Sequence, residues 1–322
     1  NEDQGENVQK SQQWGFSGDM AWTVSTDQAY AVWNPADFQG VIVDSDAAGQ
    51  SVEITAINNT NVASLSGGLA FTKTNQRDGN RQNQQTAVAL AGSFAVNVIT
   101  MDAVARLGNS PDETDPPDKT SLSVSGNVTI EANNGTGGTS WQRSEKATKN
   151  NERQVKFEWE SDDNQALFLA GSASLGFAKS RSATSVAGGV SLSLNDVGLT
   201  TDARIHNVDL QGFNNDRTGD VKVMADDKSR LSAIGGVVEF SRTEGGGYGV
   251  GLGGMSALNY AESTVAAQIT DSSVQATSVD VSATSTPHLN AYAIAGAVVI
   301  GDPLFSVSGA FALNRLRRDV TA

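Results

Sequence analysis

The sequence has no cysteine and only two histidines in 322 residues. Without cysteine the chain can form no disulfide bond, zinc–thiolate site, iron–sulfur cluster or cysteine nucleophile. The two histidines, His206 and His288, leave little for histidine-based metal or acid–base chemistry, and we expect both at the surface. The GxSxG, HExxH and Walker motifs are also missing. We therefore predict that the chain is not an enzyme and has no catalytic residues.

Basic residues are scarce as well. Lys and Arg number 22 against 36 Asp and Glu, which gives a formal net charge of −14. This excess of negative charge repels nucleic acids and anionic membrane surfaces, so we expect neither as a partner. No apolar run approaches the ~18–20 residues that a membrane-spanning helix needs. Residues 1–14 are polar and lack a secretory signal pattern, so they are expected to be a lead-in from a longer chain.

Helical periodicity is nearly absent, and the chain instead alternates apolar with polar or small residues. Val, Ile and Ala recur at every second position between clusters of Ser, Thr, Gly and Asn. This alternation is typical of β-strands. Aromatic residues make up only 6% of the chain, but the many β-branched residues are not typical of disorder. The pattern predicts an all-β fold.

Three short signatures recur in a constant order. A strand of small residues ends in asparagine, and the four asparagines are Asn97, Asn195, Asn259 and Asn314. An alternating strand follows, then a Val-x-Val-x-Ala strand at residues 51–56, 127–132, 220–225 and 278–283, and then a glycine-centred apolar strand. The asparagines lie 98, 64 and 55 residues apart, so the basic period is about 55–65 residues.

These repeats predict one continuous β-repeat array over residues 15–322. Its units fall at roughly 15–75, 87–180, 186–243, 250–301 and 305–322, the last of them incomplete. The second unit is longer because it contains two loop insertions, at residues 108–119 and 133–164.

The architecture that such repeats favour is an elongated array, because one unit cannot bury its apolar face alone and stacking supplies the core. A right-handed β-solenoid, or β-helix, is the favoured form, and a β-sandwich-type repeat is the alternative. If each coil used about 20–30 residues, the chain would form about a dozen coils and extend about 60 Å.

The repeat also resembles a known family. Its unit reads G-x-x-A-x-N, then alternating Val, Ala and Ile, then S-x-V-x-x-x-x-V-x-V-x-A, then an AGA or AGG strand, and residues 254–285 carry the clearest copy. This series resembles giant repetitive bacterial surface proteins, the filamentous-haemagglutinin-like and leukotoxin-like adhesins, over about residues 15–322. The resemblance implies a secreted or cell-surface β-solenoid that forms a stalk, filament or coat, exported by two-partner secretion or a similar route. It offers no catalytic residues to carry over.

The partners expected for such a segment are further repeats of the same long chain, neighbouring copies, cell-surface glycans or other surface proteins. Aromatic side chains can stack on sugars or anchor a protein partner. The candidate binding residues are Trp22, Tyr30, Trp33, Trp141 and Trp159. A carbohydrate-binding or polysaccharide-acting β-helix protein is therefore the alternative function.

Calcium is the one metal that the sequence suggests. Two turn segments combine aspartate with glycine, and oxygen-rich turns suit Ca²⁺. The candidate ligands are Asp44, Asp46, Asp216 and Asp220. Neither segment matches an EF-hand loop or a GGxGxD repeat, and Asp is also an ordinary turn residue.

Overall fold

The computed structural model describes residues 11–34, 41–43, 51–74, 85–110, 119–135, 138–147, 153–162, 167–181, 184–212, 216–244, 247–302 and 304–322. Within these ranges the chain forms β-strands and no helix. The prediction of an all-β fold is confirmed. The alternating sequence explains this result, because side chains two residues apart share one face of a strand.

Most strands belong to four parallel sheets. Sheet A consists of five long strands: β1 (Ser11–Trp33), β5 (Gln85–Gly108), β11 (Ser185–His206), β15 (Gly249–Thr270) and β19 (Leu304–Thr321). Sheet B consists of short strands: β2 (Val41–Val43), β6 (Thr120–Val124), β12 (Val208–Gln211) and β16 (Ser273–Val274). Sheet C consists of β3 (Val52–Asn58), β7 (Val128–Asn134), β13 (Thr218–Asp227) and β17 (Ala276–Ser285).

Sheet D consists of β4 (Val62–Lys73), β10 (Leu167–Ser180), β14 (Arg230–Thr243) and β18 (His288–Ile300). The two remaining strands, β8 (Gly138–Ala147) and β9 (Arg153–Asp162), form an antiparallel hairpin. This hairpin occupies the sequence between β7 and β10, within the stretch expected as an insertion.

The chain visits sheets A, B, C and D in turn and then returns to sheet A. Each strand pairs in parallel with the strand at the same place in the neighbouring unit. The register aligns the recurring residues: Val128 pairs with Val52 and Val221, and Asn195 pairs with Asn97 and Asn259. This arrangement of parallel sheets is consistent with a β-helix-like fold.

The expectation of about a dozen coils is wrong. Sheet A contains five strands and each other parallel sheet contains four, so each repeat unit supplies one strand to each sheet. The sequence suggested two strands in residues 92–107, but β5 runs unbroken over 24 residues. Such a strand is about 80 Å long, whereas five paired strands span only about 20 Å across.

The apolar core lies where sheets B and C pack against the second half of each sheet A strand. The Val-x-Val-x-Ala strands of sheet C point their apolar residues inward, as the alternation predicts. Fully buried members include Leu107, Leu122, Val128, Ile130 and Ile205. This part of the molecule, here called the A/C half, is apolar inside and polar outside.

Candidate interaction surfaces

The other half of the array consists of sheet D and the first half of each sheet A strand, and we call it the A/D half. Its interior is lined by small residues such as Ala89, Ala95, Ala170 and Ala187, all fully buried. The two sheets approach closely, since a Cβ added at Gly68 would overlap the backbone carbonyl oxygen of Gly92. Hydrophobic stabilisation scales with buried apolar area, so the part of this interior that is lined by alanine and glycine contributes little of it.

A ladder of asparagine side chains runs through the interior of the A/D half. Asn97 Nδ2 donates to Asn195 Oδ1, Asn195 Nδ2 donates to Asn259 Oδ1, and Asn259 Nδ2 donates to Asn314 Oδ1, each at 2.8 Å. Asn97, Asn195 and Asn259 are fully buried. The hydrogen bonds therefore link four neighbouring strands of sheet A along the direction in which the units stack.

The same amides also tie sheet A to sheet D. Nδ2 of Asn97 donates to the Leu169 carbonyl oxygen at 2.8 Å, and Nδ2 of Asn195 donates to the Ser232 carbonyl oxygen at 2.9 Å. Nδ2 of Asn259 donates to the Asn290 carbonyl oxygen at 2.7 Å. Each buried amide thus bonds both along the stack and across it, which offsets the cost of burying a polar group.

Glu239 is the one carboxylate that points into this small-residue interior among the residues described for sheet D. Its side chain is fully buried, and no residue that the structure describes donates a hydrogen bond of ordinary geometry to its two oxygens. Burial raises the pKa of Glu239 to about 8, although the nearby backbone amide of Gly176 acts against the rise. The carboxyl fits only because Gly176 and Gly189 lack a Cβ, since an added Cβ at either would overlap it.

The outward surface of sheet D, here called face D, carries the large apolar side chains. Leu69 is 63% exposed, Leu175 44%, Val238 49% and Ile294 69%. Phe71, Phe177 and Phe240 stack in a row, with ring centroids 4.9 Å apart. Charged side chains lie at the two ends of the strands: Arg230 begins β14, and near the other end Lys179 Nζ and Arg242 Nη2 each lie 3.0 Å from Glu244 Oε1.

The ion pairs at that end form a charged rim beside face D. The pKa of the Glu244 carboxyl is lowered, first because Lys179 donates a hydrogen bond to it and also because Arg242 and Arg181 are near. These groups are solvent-accessible, so their contribution to stability is small.

The outward surface of the first half of sheet A, here called face A, lies on the opposite side of the same half and is also apolar. Exposed side chains on it include Phe16, Met20, Phe94, Val190 and Phe311. Both faces also contain rows of small residues, and two shallow grooves follow them. One groove passes Gly67, Ala173 and Gly236 on face D, and the other passes Gly188, Gly253 and Gly254 on face A.

Apart from two buried clusters, one around Phe168 and Leu231 and one around Val237 and Met255, the A/D half is therefore inverted relative to an ordinary sheet domain, with small residues inside and large apolar residues outside. Monomeric soluble proteins rarely expose a contiguous apolar patch larger than a few hundred Å². Four strands and five alternate positions on face D span roughly 600 Å², and five strands on face A span roughly 800 Å². These two faces are the candidate functional surfaces of the described residues.

The predicted aromatic residues of β1 do not form one patch. Trp22 and Tyr30 both point outward and are exposed, but eight residues of extended strand place them about 26 Å apart. Trp33 has the opposite parity and packs against the core of the A/C half. Trp22 belongs to face A, whereas Tyr30 lies on the polar outer surface of the A/C half.

Trp141 and Trp159 lie directly opposite each other in the register of the β8–β9 hairpin. Phe157 is two residues from Trp159, and Val155 two residues further, so alternation places these four positions on one face of the hairpin. The intervening positions are polar or charged. The sequence singled out both tryptophans but could not pair them.

The predicted calcium ligands are only partly within the described residues, since Asp44 and Asp46 lie outside them. Asp216 Oδ1 accepts a hydrogen bond from the backbone amide of Arg217 at 2.8 Å, and Asp220 Oδ1 accepts one from Ser278 Oγ at 2.7 Å. The described part of the chain contains no group of three or more His, Asp or Glu residues placed to hold a metal ion. The calcium prediction stays a prediction.

The expectation that both histidines lie at the surface is wrong for His206. It is buried where β11 ends, with Nδ1 2.9 Å from Thr270 Oγ1 and 3.6 Å from Asp271 Oδ2. Asn207 follows with a φ of 57°, so the chain turns there and directs the imidazole against the next unit. Because His206 is out of phase with the apolar residue Ile205, alternation predicts that it lies at the surface. Alternation does not predict the turn at Asn207 that buries it.

Comparison with models of known protein families, with curated proteins and with solved structures gives no match in any of the three. None of the described segments is a helix long and apolar enough to cross a membrane.

Proposed function

We propose that this chain is a segment of a right-handed β-solenoid with a non-enzymatic, structural and adhesive role outside a bacterial cell. The observation that carries the proposal is the pairing of every parallel strand with its counterpart in the next unit. Such an array can be extended by further units without any change in its fold, because each unit contacts only its neighbours. Extension of this kind suits a filament or coat.

The width of the array favours a broad filament or a coat over a thin stalk. Each unit adds one strand to each sheet, so it lengthens the stack by only about 4.8 Å. The same unit adds a strand of 22 residues such as β11 or β15, about 70 Å long, to the outer surface. Each added unit therefore increases the surface area of the array much more than it increases its length.

The asparagine ladder also supports a structural role. It links four units, and three of its four side chains are buried and hydrogen-bonded in two directions. Buried polar networks that are fully satisfied specify one register. A fixed register is what a load-carrying array requires, because slippage by one residue would exchange its inner and outer faces.

The proposal is tested on the cells that produce the protein, with antibody against this chain and immunogold electron microscopy. We expect gold particles on the outer surface of intact cells, in a layer or along filaments, and removal of the signal by external protease. Label that appears only after the cells are permeabilised would contradict an extracellular role. Release of reducing ends from polysaccharides by the purified chain would contradict the non-enzymatic role.

A carbohydrate-binding role is the second candidate, and the β8–β9 hairpin is what favours it. Trp141 and Trp159 are partners in the hairpin register, and aromatic side chains are suited to stacking on sugar rings. A glycan array with the intact chain and with Trp141→Ala tests this candidate. Binding that the substitution abolishes would support it, and the absence of binding by the intact chain would exclude it for the glycans on the array.

A further inference from the structure

Face D has a large and a small residue two positions apart on every strand. The pairs are Leu69 with Gly67, Leu175 with Ala173, Val238 with Gly236, and Ile294 with Gly296. In the first three strands the large residue follows the small one, and in β18 it precedes it. These residues are on the outer side, since all four large side chains are exposed.

We propose that face D is covered by face D of a second copy of this chain, related by a two-fold axis parallel to the direction in which the units stack. Such an axis maps each strand onto its own counterpart and reverses its direction. The axis runs between two neighbouring columns of face D, one containing Gly67 and the other containing Leu69. Each large residue then lies over the small residue of the same strand in the partner copy: Leu69 over Gly67, Leu175 over Ala173, Val238 over Gly236, and Ile294 over Gly296. A large side chain meets a small residue in all four strands, including β18, where the order is reversed.

The other two-fold arrangement packs less well. An axis parallel to the strands would exchange β10 with β14, so that Leu175 would lie over Val238, and Ala173 over Gly236. Only the outer strands would be complementary, with Leu69 over Gly296 and Ile294 over Gly67. In the two inner strands large residues would oppose large ones and small residues would oppose small ones, and both mismatches destabilise a packed interface. Complementarity therefore selects the arrangement in which both arrays stack in the same direction.

The charges and the area of face D are consistent with this partner. The rim residues Lys73, Lys179 and Arg242 would lie opposite Ala63, Leu169 and Ser232, so no like charges meet. Covering roughly 600 Å² on each copy buries about 1,200 Å² in total, which reaches the range of specific protein interfaces. Each strand of a longer array would add to this area.

Face A has the same relation between neighbouring positions. Phe16 is two residues from Gly18, Leu90 from Gly92, Leu252 from Gly254, and Val307 from Gly309, while on β11 the order is reversed and Val190 follows Gly188. A second two-fold contact through face A therefore extends the pair into a layer of copies that all point the same way. A closed dimer through face D alone would leave roughly 800 Å² of face A uncovered.

A lipid surface is a weaker occupant of these faces. The edge strands β4 and β18 of sheet D carry backbone N–H and C=O groups that have no partner on one side within the described residues. Such groups are costly in hydrocarbon, where water cannot satisfy them. Contact between copies leaves both edges in water.

Sedimentation of the full chain tests the pairing on both faces. We expect assemblies larger than a dimer for the unmodified chain, dimers for Val238→Lys, and monomers for Val238→Lys combined with Phe94→Lys. Thr264→Lys adds the same charge on the polar outer surface of the A/C half and should assemble like the unmodified chain. Circular dichroism and the thermal midpoint establish that each variant is folded.

Crosslinking tests the register of face D, and the chain has no native cysteine to interfere. A short bismaleimide should link Leu175→Cys chains to Ala173→Cys chains several-fold more efficiently than it links either variant to itself. Thr264→Cys should crosslink poorly in every mixture. Equal yields in all mixtures would overturn the proposed register.

This inference rests on the proposed structural role but can fail alone. A folded chain that stays monomeric at about 100 μM would overturn the pairing and leave axial stacking and extracellular location untouched. Assembly that Val238→Lys does not change would also overturn it. Sedimentation with neutral lipid vesicles that Val238→Lys abolishes would assign face D to lipid and overturn the pairing with a second copy.

Discussion

Asn195 and Asn259 occupy equivalent places on β11 and β15, and Nδ2 of Asn195 donates a hydrogen bond of 2.8 Å to Oδ1 of Asn259. Asn195 also donates to the Ser232 carbonyl oxygen and accepts a hydrogen bond from Asn97 Nδ2. One side chain thus joins three units along sheet A and bridges sheet A to sheet D. Its removal should affect the whole A/D half.

We expect Asn195→Ala to lower the free energy of unfolding by about 3 kcal/mol, because it leaves buried donors and acceptors of Asn97, Asn259 and Ser232 unpaired. Asn314→Ala is the matched control, since Asn314 is exposed and removal should cost less than about 1 kcal/mol. Urea unfolding followed by circular dichroism measures both. Equal losses for the two variants would contradict the ladder's buried, central position.

Glu239 should make stability depend on pH. Its pKa is raised from 4.5 to about 8 by burial. Between these values the folded protein holds a proton that the unfolded chain releases, so stability should fall as the pH rises, by up to about 1.4 kcal/mol per pH unit from this group. The contribution is fully present below pH 4.5 and lost above about pH 8.

Urea midpoints at pH 5, 7 and 9 for the unmodified chain and for Glu239→Gln measure this dependence. Glu239→Gln should reduce the loss of stability with rising pH, because the amide does not titrate. Glu262→Gln removes an exposed carboxylate instead and should leave the dependence of the urea midpoint on pH unchanged. An identical slope in Glu239→Gln would show that this carboxyl does not hold its proton.

The close contact between Gly189 and Glu239 predicts a strong coupling. Gly189→Ala should cost about 2 kcal/mol, because the added Cβ overlaps Glu239 Oε1. In the Glu239→Ala background the same substitution should be neutral or stabilise slightly, since alanine suits a strand better than glycine does. Gly198→Ala, whose Cβ would meet only the Ile99 carbonyl oxygen at 4.0 Å, is the control. Additive effects would contradict this packing.

The β8–β9 hairpin should be dispensable for the array. In the other units a sheet C strand joins a sheet D strand through very short turns, such as residues 228–229 and 286–287. Replacing residues 135–166 by the Lys-Ser turn of residues 228–229 should therefore preserve the circular dichroism spectrum and change the thermal midpoint by only a few degrees. Loss of the cooperative transition would mean that the hairpin is part of the fold.

Alternation in the sequence was sufficient to predict strands and the inward side of sheet C. Val128, Ile130 and Ala132 are apolar while Thr129 and Glu131 are polar, so only one face can be buried. The same rule failed in sheet D. There Ala and Gly alternate with Leu and Phe, and both faces are apolar, so polarity could not decide which set pointed inward.

Two features of the candidate surfaces needed the register as well as the pattern. Asn97 and Asn195 recur visibly in the sequence, but recurrence does not reveal that their side chains are buried and bonded to each other. Glu239 gave no signal, since a single glutamate between Val238 and Phe240 can occupy the outer side of a strand as easily as the inner one. Both depend on which residues lie across the narrow interior.

The central claim is that equivalent residues of successive units stack one strand apart. Thr26 and Arg317 are at opposite edges of sheet A in one outward column, linked through Thr100, Gly198 and Glu262. Spin labels on Thr26→Cys and Arg317→Cys measure this separation by double electron–electron resonance. Four strand spacings predict a narrow distribution near about 20 Å, although the two residues are far apart in sequence. A broad distribution, or a mean beyond about 40 Å, would contradict the stacking.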